Sequence, residues 1–219
     1  GGHLLNSPEN YGLARLTAAM MNEGTEQLSA EQFEVELQKL GSRISVIAGT
    51  ESMIVTVSAL SRNLDATLDL LEQRLFETDF TPENLERLRN QQIEALQAAR
   101  EQPSSIADNV YARLLYGEDH SLAIPLAGEI ETVRNLTLEQ VEQFGHDAFA
   151  SEALEVVVVG DVEQQAIVPA LGFLDRLPRT PLPERGQPPL PETGNTLYLV
   201  DKPGAAQSEI RIGYVTDMP

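Results

Sequence analysis

The stretch from residue 12 to residue 25 places the strongest constraint on how this chain can fold. Leu13, Leu16 and Met20 are three and four residues apart, which puts their side chains on one stripe of a helix. A proline shortly upstream suits an early helix position, and Gly24 suits the left-handed residue that ends a helix. The stretch therefore predicts a helix that packs into a core through one face.

Strand patterns appear in several other places. Alternating apolar residues predict strands at 43–48 and 53–59, which are close enough in sequence to form an antiparallel hairpin. The segment 154–160 contains four consecutive valines, a pattern typical of a strand buried on both faces. Two further strands are predicted at 196–200 and 210–215. Residues 1–6 are expected to be the end of a strand.

Between these strands, capping signals and periodic leucines predict helices that follow one another directly. They begin near residues 30, 64, 82, 106, 137 and 163. Because strands and helices mix without a regular alternation, the predicted fold class is α+β. We expect a mostly antiparallel sheet with helices packed on one face.

A proline-rich segment suggests where one domain ends. Residues 178–194 hold six prolines in seventeen positions, a composition that favours an extended, semi-rigid linker. The expected division is a domain over 1–177, a linker over 178–194 and the first strands of a following domain over 195–219. The sequence is expected to be a fragment at both ends, with one or more N-terminal strands missing from the first domain.

Charge and composition exclude several classes of function. With 15 basic and 34 acidic residues the net charge is −19, which disfavours nucleic acid and an anionic membrane surface as partners. No run of 18 apolar residues occurs, so we expect no membrane insertion. The chain has no cysteine, which rules out disulfides and thiol chemistry.

The residues of the first predicted helix carry a family resemblance. The helix resembles the zinc-binding helix of insulinase/pitrilysin-type metallopeptidases, the family that includes the mitochondrial processing peptidase. There the inverted zincin motif has the order Gly-Leu-Ala-His-x-x-Glu-His-Met and is followed by Gly-Thr. The residues that match this frame are Gly12, Leu13, Ala14, Met20, Gly24 and Thr25. At the motif's His, Glu and His positions the chain has Arg15, Ala18 and Ala19.

These replacements remove the metal chemistry that the resemblance would imply. A catalytic zinc needs about three protein ligands with lone pairs, and neither alanine nor a guanidinium offers one. In the family a Glu from a later helix completes the site. Aligning the proline after that helix with Pro103 brings either Glu94 or Ala95 to its position. We therefore expect no catalytic residue, no metal site and no cofactor in this chain, with zinc only in an active partner.

The resemblance implies a non-catalytic peptidase-like domain that shapes a substrate chamber and supports an active, zinc-bearing domain or subunit. Its expected partners are that zinc peptidase and a peptide substrate, in the bacterial periplasm or another extracytoplasmic space. The alternative is a structural, assembly or peptide-binding module without any association with a peptidase. A third hypothesis is an enzyme of another class that uses Glu94, His120 or Asp161.

The acidic residues suggest a more specific role. Between residues 118 and 163 there are eleven acidic residues and one arginine, and five more acids lie between residues 23 and 36. Glu23, Glu26 and Glu31 are candidates for contacts with a basic peptide, because carboxylates on a chamber wall would concentrate cations. The alternative interpretation is a solvated surface that keeps the protein soluble.

Overall fold

The structure is a computed structural model that describes residues 2–118, 120–150, 152, 154–179, 194 and 196–215. Within these residues, eight α-helices and one two-stranded antiparallel sheet form a mixed, mainly helical fold. The helices are α1 (Leu13–Met21), α2 (Ala30–Leu40), α3 (Leu64–Phe76), α4 (Pro82–Glu101), α5 (Pro103–Tyr116), α6 (Ile130–Asn135), α7 (Leu138–Asp147) and α8 (Gln164–Ala170). The strands are β1 (Arg43–Ala48) and β2 (Met53–Ser58). The predicted α+β class is confirmed.

Local signals in the sequence set the ends of several helices. Ser29 caps α2 by accepting a hydrogen bond from the Gln32 backbone N–H, and Gly41 ends that helix with a φ of 64°. Thr137 caps α7 in the same way. At α4, Thr81 supplies the cap and a proline occupies the first turn. These predicted boundaries are confirmed.

The two strands form the predicted hairpin. Their register pairs Arg43 with Ser58, Val46 with Val55 and Ala48 with Met53. Along β1, alternate residues are buried, which leaves one face of the strand toward the core.

Two apolar clusters make up the core. The first cluster surrounds α1 and consists of Leu13, Ala14, Leu16, Ala18, Met20, Met21, Val46, Leu85, Leu136, Val141, Phe144, Ala148, Phe149 and Leu177. The second cluster lies under α2 and α3 and consists of Phe33, Leu37, Ile44, Leu68, Leu70, Leu71 and Ile167. Val55 of β2 packs against both, so the hairpin links the two clusters.

Several segments differ from the sequence-based expectation. Residues 154–159, 196–200 and 210–215 carry no strand in the structure, and most of their apolar side chains are exposed. A strand needs a neighbour for its backbone hydrogen bonds, and these segments pair with no described strand. Residues 3–5, predicted as strand, form a short 3₁₀ helix instead.

The proposed linker falls mostly outside the described residues, since only 178, 179 and 194 of the segment 178–194 are described. The division into 1–177, 178–194 and 195–219 therefore stays a prediction. Among the described helices, none is long and apolar enough to cross a membrane.

Candidate functional site

The three positions that the family resemblance aligns with the zinc motif lie on α1 but differ in exposure. Arg15 is exposed, Ala19 is half-buried and Ala18 is buried within the first cluster. Among the described residues, Arg15 makes no ion pair. The alanines present methyl groups where a metal would need nitrogen or oxygen donors.

Close packing fixes the beginning of α1. Gly12 has a φ of 97°, and a Cβ there would lie 2.7 Å from the Ala127 carbonyl oxygen. The side chain of Gln92 donates from Nε2 to the carbonyl oxygens of Ala127 (2.8 Å) and Gly12 (3.2 Å). Thr132 donates from Oγ1 to the Tyr11 carbonyl at 2.8 Å. Helices α4 and α6 therefore hold the helix start in place.

The orientation of α4 bears on the position of the third ligand. Gln92 is buried and faces α1, whereas Glu94 is exposed. Two residues along a helix correspond to a rotation of about 200°, so Glu94 lies on the far side from Gln92. Ala95 is rotated by only about 60° from Gln92. Both Glu94 and Ala95 are nevertheless exposed, so which of them corresponds to the third ligand stays a prediction.

Among the described residues there is no group of three His, Cys, Asp or Glu side chains that could hold a metal ion. His3 is buried, with Nε2 2.9 Å from the Ser121 carbonyl oxygen, and its ring stacks on Tyr11. His146 lies beside Asp147 on the surface, with Nδ1 and Oδ1 3.0 Å apart. These contacts are structural.

The three residues of the third hypothesis, an enzyme of another class, lie in different environments. Glu94 and Asp161 are exposed, whereas His120 is buried and accepts a hydrogen bond at Nδ1 from the Leu122 backbone N–H. Burial lowers the pKa of His120. Within the described structure, no hydrogen bond or ion pair joins any two of the three, so they offer no assembled acid–base pair.

A network that sequence reasoning missed fixes the end of α1. Arg74 of α3 is fully buried, donates from Nη1 to the Met21 carbonyl oxygen at 2.6 Å and lies 4.1 Å from the centroid of the Phe33 ring. Burial lowers the pKa of Arg74 to about 10, although the charges of Glu34 and Glu23 oppose this shift. Arg74 thus remains a cation at neutral pH and satisfies a helix-end carbonyl.

The three candidate peptide-binding acids follow α1. Glu26 and Glu31 are exposed, and Glu23 is half-buried and forms an ion pair with Arg87 at 2.7 Å. Glu23 is thus partly neutralised by a cation of α4, whereas no ion pair within the described residues involves Glu26 or Glu31. Their contact with a peptide stays a prediction.

A family model described as "Insulinase (Peptidase family M16)" matches residues 1–128. The "Non-peptidase homolog YmxG" of Helicobacter pylori is 28% identical over 163 residues, which are 74% of this chain and 38% of that relative.

Two solved structures share the fold. A crystal structure described as a peptidase M16 inactive domain from Pseudomonas fluorescens superposes with a TM-score of 0.77 at 24% identity, covering 86% of this chain and 46% of that one. The periplasmic protease PqqL of Escherichia coli gives a TM-score of 0.70 at 20% identity, covering 88% of this chain and 21% of that one. The chain therefore spans less than half the length of each of these proteins.

Proposed function

The chain belongs to the insulinase family, peptidase family M16, and from that premise we propose that it is a non-catalytic peptidase-like domain. In this role it shapes part of a substrate chamber and supports an active domain or subunit that carries zinc. The protein or its partner would then be a zinc metalloendopeptidase, and this chain would contribute surface and stability.

The proposal rests on helix α1, which keeps its buried packing but has no zinc-ligating side chain at the motif positions. The helix keeps its packing, since Leu16 and Met20 are fully buried and both ends are fixed by side chains of neighbouring helices. Its motif positions nevertheless hold Arg15, Ala18 and Ala19. A fold retained without its donors fits a supporting role better than a catalytic one, because packing alone does not activate water.

The printed descriptions of similar proteins support this role. One relative is named a non-peptidase homologue, and one solved neighbour is described as an inactive domain. Similarity to a periplasmic protease supports an extracytoplasmic location. The proposed organisation keeps the domain at 1–177 and a linker at 178–194, with a following domain beginning at 195.

The test is reconstitution with a family member that retains an intact His-x-x-Glu-His motif. We expect this chain to co-purify with that partner and to raise its cleavage of a peptide, with no cleavage by the chain alone. The partner with its motif glutamate changed to glutamine is the matched control. A chain that binds no such partner and leaves cleavage unchanged would instead be the structural or assembly module.

The acidic residues give a second, finer test of the chamber role. The triple variant Glu23→Gln, Glu26→Gln and Glu31→Gln should weaken binding of a basic peptide to the reconstituted protease and flatten its dependence on salt, since screened attraction is strongest at low ionic strength. The control is a second triple variant with the same loss of charge at three other exposed residues, Glu139→Gln, Glu142→Gln and Glu152→Gln. If the two triple variants change peptide binding and its salt dependence equally, Glu23, Glu26 and Glu31 contribute only to the general surface charge.

A further inference from the structure

The start of α1 rests on the segment 120–128, which we call the brace loop. The Ala127 carbonyl oxygen lies so close to Gly12 that a Cβ on that glycine would approach it to 2.7 Å. Gly128 has a φ of 76°, and a Cβ on it would overlap the Tyr11 carbonyl group. Glycine allows these close backbone approaches, so the position of the brace loop fixes the turn from which α1 begins.

Two histidines hold the first part of the brace loop, which forms a short 3₁₀ helix over Ser121–Ala123. The Nε2 atom of His3 lies 2.9 Å from the Ser121 carbonyl oxygen, which can only accept, so His3 donates. The Nδ1 atom of His120 lies 3.0 Å from the Leu122 backbone nitrogen and accepts its hydrogen. Adjacent residues of the 3₁₀ helix are therefore held by two imidazoles in opposite hydrogen-bonding roles.

These roles determine the protonation state of the two rings. An imidazole accepts a hydrogen bond at Nδ1 only when that atom carries no proton, so His120 is neutral in this arrangement. A proton on its Nδ1 would place two donors against each other and break the bond to Leu122. In His3, Nδ1 is buried and has no partner within the described residues, so a proton there would add a buried donor without an acceptor.

Burial acts in the same direction as the hydrogen bonds. His3 and His120 are only 1% and 5% exposed. Burial lowers the pKa of both histidines, and for His3 it outweighs the opposing effect of the Ser121 and Ile124 carbonyl groups. When the brace loop opens, water reaches the rings and their pKa returns toward the ordinary value of about 6.5. Protons therefore bind the open form more strongly than the closed form, and acid favours opening.

The charged residues on the surrounding elements respond outside this pH range. Arg15 of α1, Glu51 of the hairpin turn and Arg113 of α5 are exposed, and Arg113 forms an ion pair with the half-buried Glu129 at 2.5 Å. Glu118, just before the brace loop, is exposed as well. Carboxyl and guanidinium groups ordinarily titrate outside the range from about pH 5.5 to 7.5, so the two imidazoles are the groups that respond there.

The packing allows the brace loop to open without the core. None of its residues belongs to either apolar cluster or is packed against one. Its attachments are the two histidine hydrogen bonds, the backbone contacts with Tyr11 and Gly12, and the hydrogen bond that Ala127 accepts from the Gln92 side chain. Segments held mainly by such local contacts open at a lower free energy than the whole protein does.

We propose that His3 and His120 form a pH-sensitive latch. While both imidazoles are neutral, the brace loop is closed against the start of α1. When they take up protons below about pH 6, the loop separates from the two rings and releases the turn at Gly12. The two apolar clusters stay folded during this opening.

Amide hydrogen exchange on the complete chain measures the opening residue by residue. The reporters are the backbone N–H groups of Leu122, which donates to His120, of Ile124 in the brace loop, and of Leu16, which donates to Gly12 at the start of α1. From about pH 7.5 to about pH 5.5, each histidine with an open-state pKa of about 6.5 raises the open population by up to about tenfold. Protection factors in the brace loop should therefore fall by up to about 100-fold, and that of Leu16 should fall with them.

Two substitutions keep the hydrogen bonds but remove the titration. His3→Gln keeps a donor for the Ser121 carbonyl, and His120→Asn keeps an acceptor for the Leu122 N–H, since asparagine is a preferred capping residue. The double variant should change its protection by less than about threefold over this pH range, and each single variant should retain a fall of about tenfold. His146→Gln alters an exposed histidine beside Asp147 and is the matched control, which should behave as wild type.

Three results would overturn the latch. In the first, the double variant loses as much protection as wild type, so other groups drive the change. In the second, Leu122 is as well protected at about pH 5.5 as Leu37 of the second cluster, so the loop opens only when the whole protein unfolds. The third needs no variant: a proton NMR titration of the wild-type rings that gives His3 and His120 a pKa at or above about 6.5 would show that the closed loop does not disfavour their protonation.

Discussion

Restoring the acidic residue of the zinc motif should destabilise this protein without restoring a metal site. Ala18 is 4% exposed and belongs to the first cluster, and its carbonyl oxygen accepts a hydrogen bond from Asn22 at 2.7 Å. Ala18→Glu forces a longer side chain into this packing, at a cost of about 1–3 kcal/mol. An unpaired buried polar group costs about 1–3 kcal/mol more. The total, about 2–6 kcal/mol, is a large part of the 5–15 kcal/mol that is typical of a folded protein.

The loss of stability caused by Ala18→Glu should increase as pH rises. Burial favours the neutral carboxyl, so the introduced glutamate would have its folded-state pKa raised above the unfolded value of about 4.3. Above pH 4.3 the folded state then binds more protons than the unfolded state, and stability falls as pH rises until the folded-state pKa is passed. The penalty of Ala18→Glu relative to wild type should thus be larger at pH 7 than at pH 4.

Urea unfolding at the two pH values measures both effects, and Ala18→Met separates the volume term from the charge term. With a slope of about 2 kcal/mol per M, a loss of 4 kcal/mol lowers the midpoint by about 2 M. The double variant Arg15→His and Ala19→His changes exposed and half-buried positions and is the matched control. A change of less than 0.5 M in the midpoint of Ala18→Glu would refute the prediction. One equivalent of zinc bound by the variant that combines Arg15→His, Ala18→Glu and Ala19→His would refute it as well.

Four further predictions concern the unaltered motif, the buried groups and the linker. Metal analysis of the chain purified without chelators should find zinc far below one equivalent. Burial lowers the pKa of His3 despite hydrogen bonds to backbone carbonyls. The unfolded state therefore binds the extra proton, and stability should fall as pH drops through about 6.5. In His3→Phe, the urea midpoint should change less with pH over this range. Gln92→Leu removes the side-chain donor from the Ala127 carbonyl, while the Gly12 carbonyl keeps its bond from the Leu16 N–H; the variant should cost about 1–3 kcal/mol in urea unfolding, whereas Gln91→Leu at an exposed position should cost little. Limited proteolysis should cut first within 178–194, and first cuts within 82–116 would contradict the proposed boundary.

The acidic residues illustrate how a cluster in sequence can divide in space. Glu23 and Glu26 are three residues apart, yet Glu23 turns toward α4 and pairs with Arg87, while Glu26 is exposed. We therefore expect the proposed attraction of a cationic peptide to depend more on Glu26 and Glu31 than on Glu23. A single Glu23→Gln substitution should accordingly have the smallest effect of the three on peptide binding.

Local chemistry in the sequence determined most of the secondary structure. The stripe of Leu13, Leu16 and Met20 fixed the buried face of α1, and Ser29 with Gln32 and Gly41 fixed the ends of α2. The loss of zinc donors at three motif positions was likewise readable from residue types. Such features depend on residues within a few positions of one another, so the sequence contains the required information.

Contacts between distant residues were decided only by the tertiary structure. Arg74 reads as an ordinary helix cation, but packing buries it against Phe33 and directs it to the end of α1. Gln92 is one of several polar residues in the sequence of α4, but the fold buries it and directs its amide to the carbonyl oxygens of Gly12 and Ala127. The segment 154–159 shows the same principle. Its run of four valines indicates a strand that needs neighbours, whereas the pairing of a strand depends on which segment the fold brings beside it.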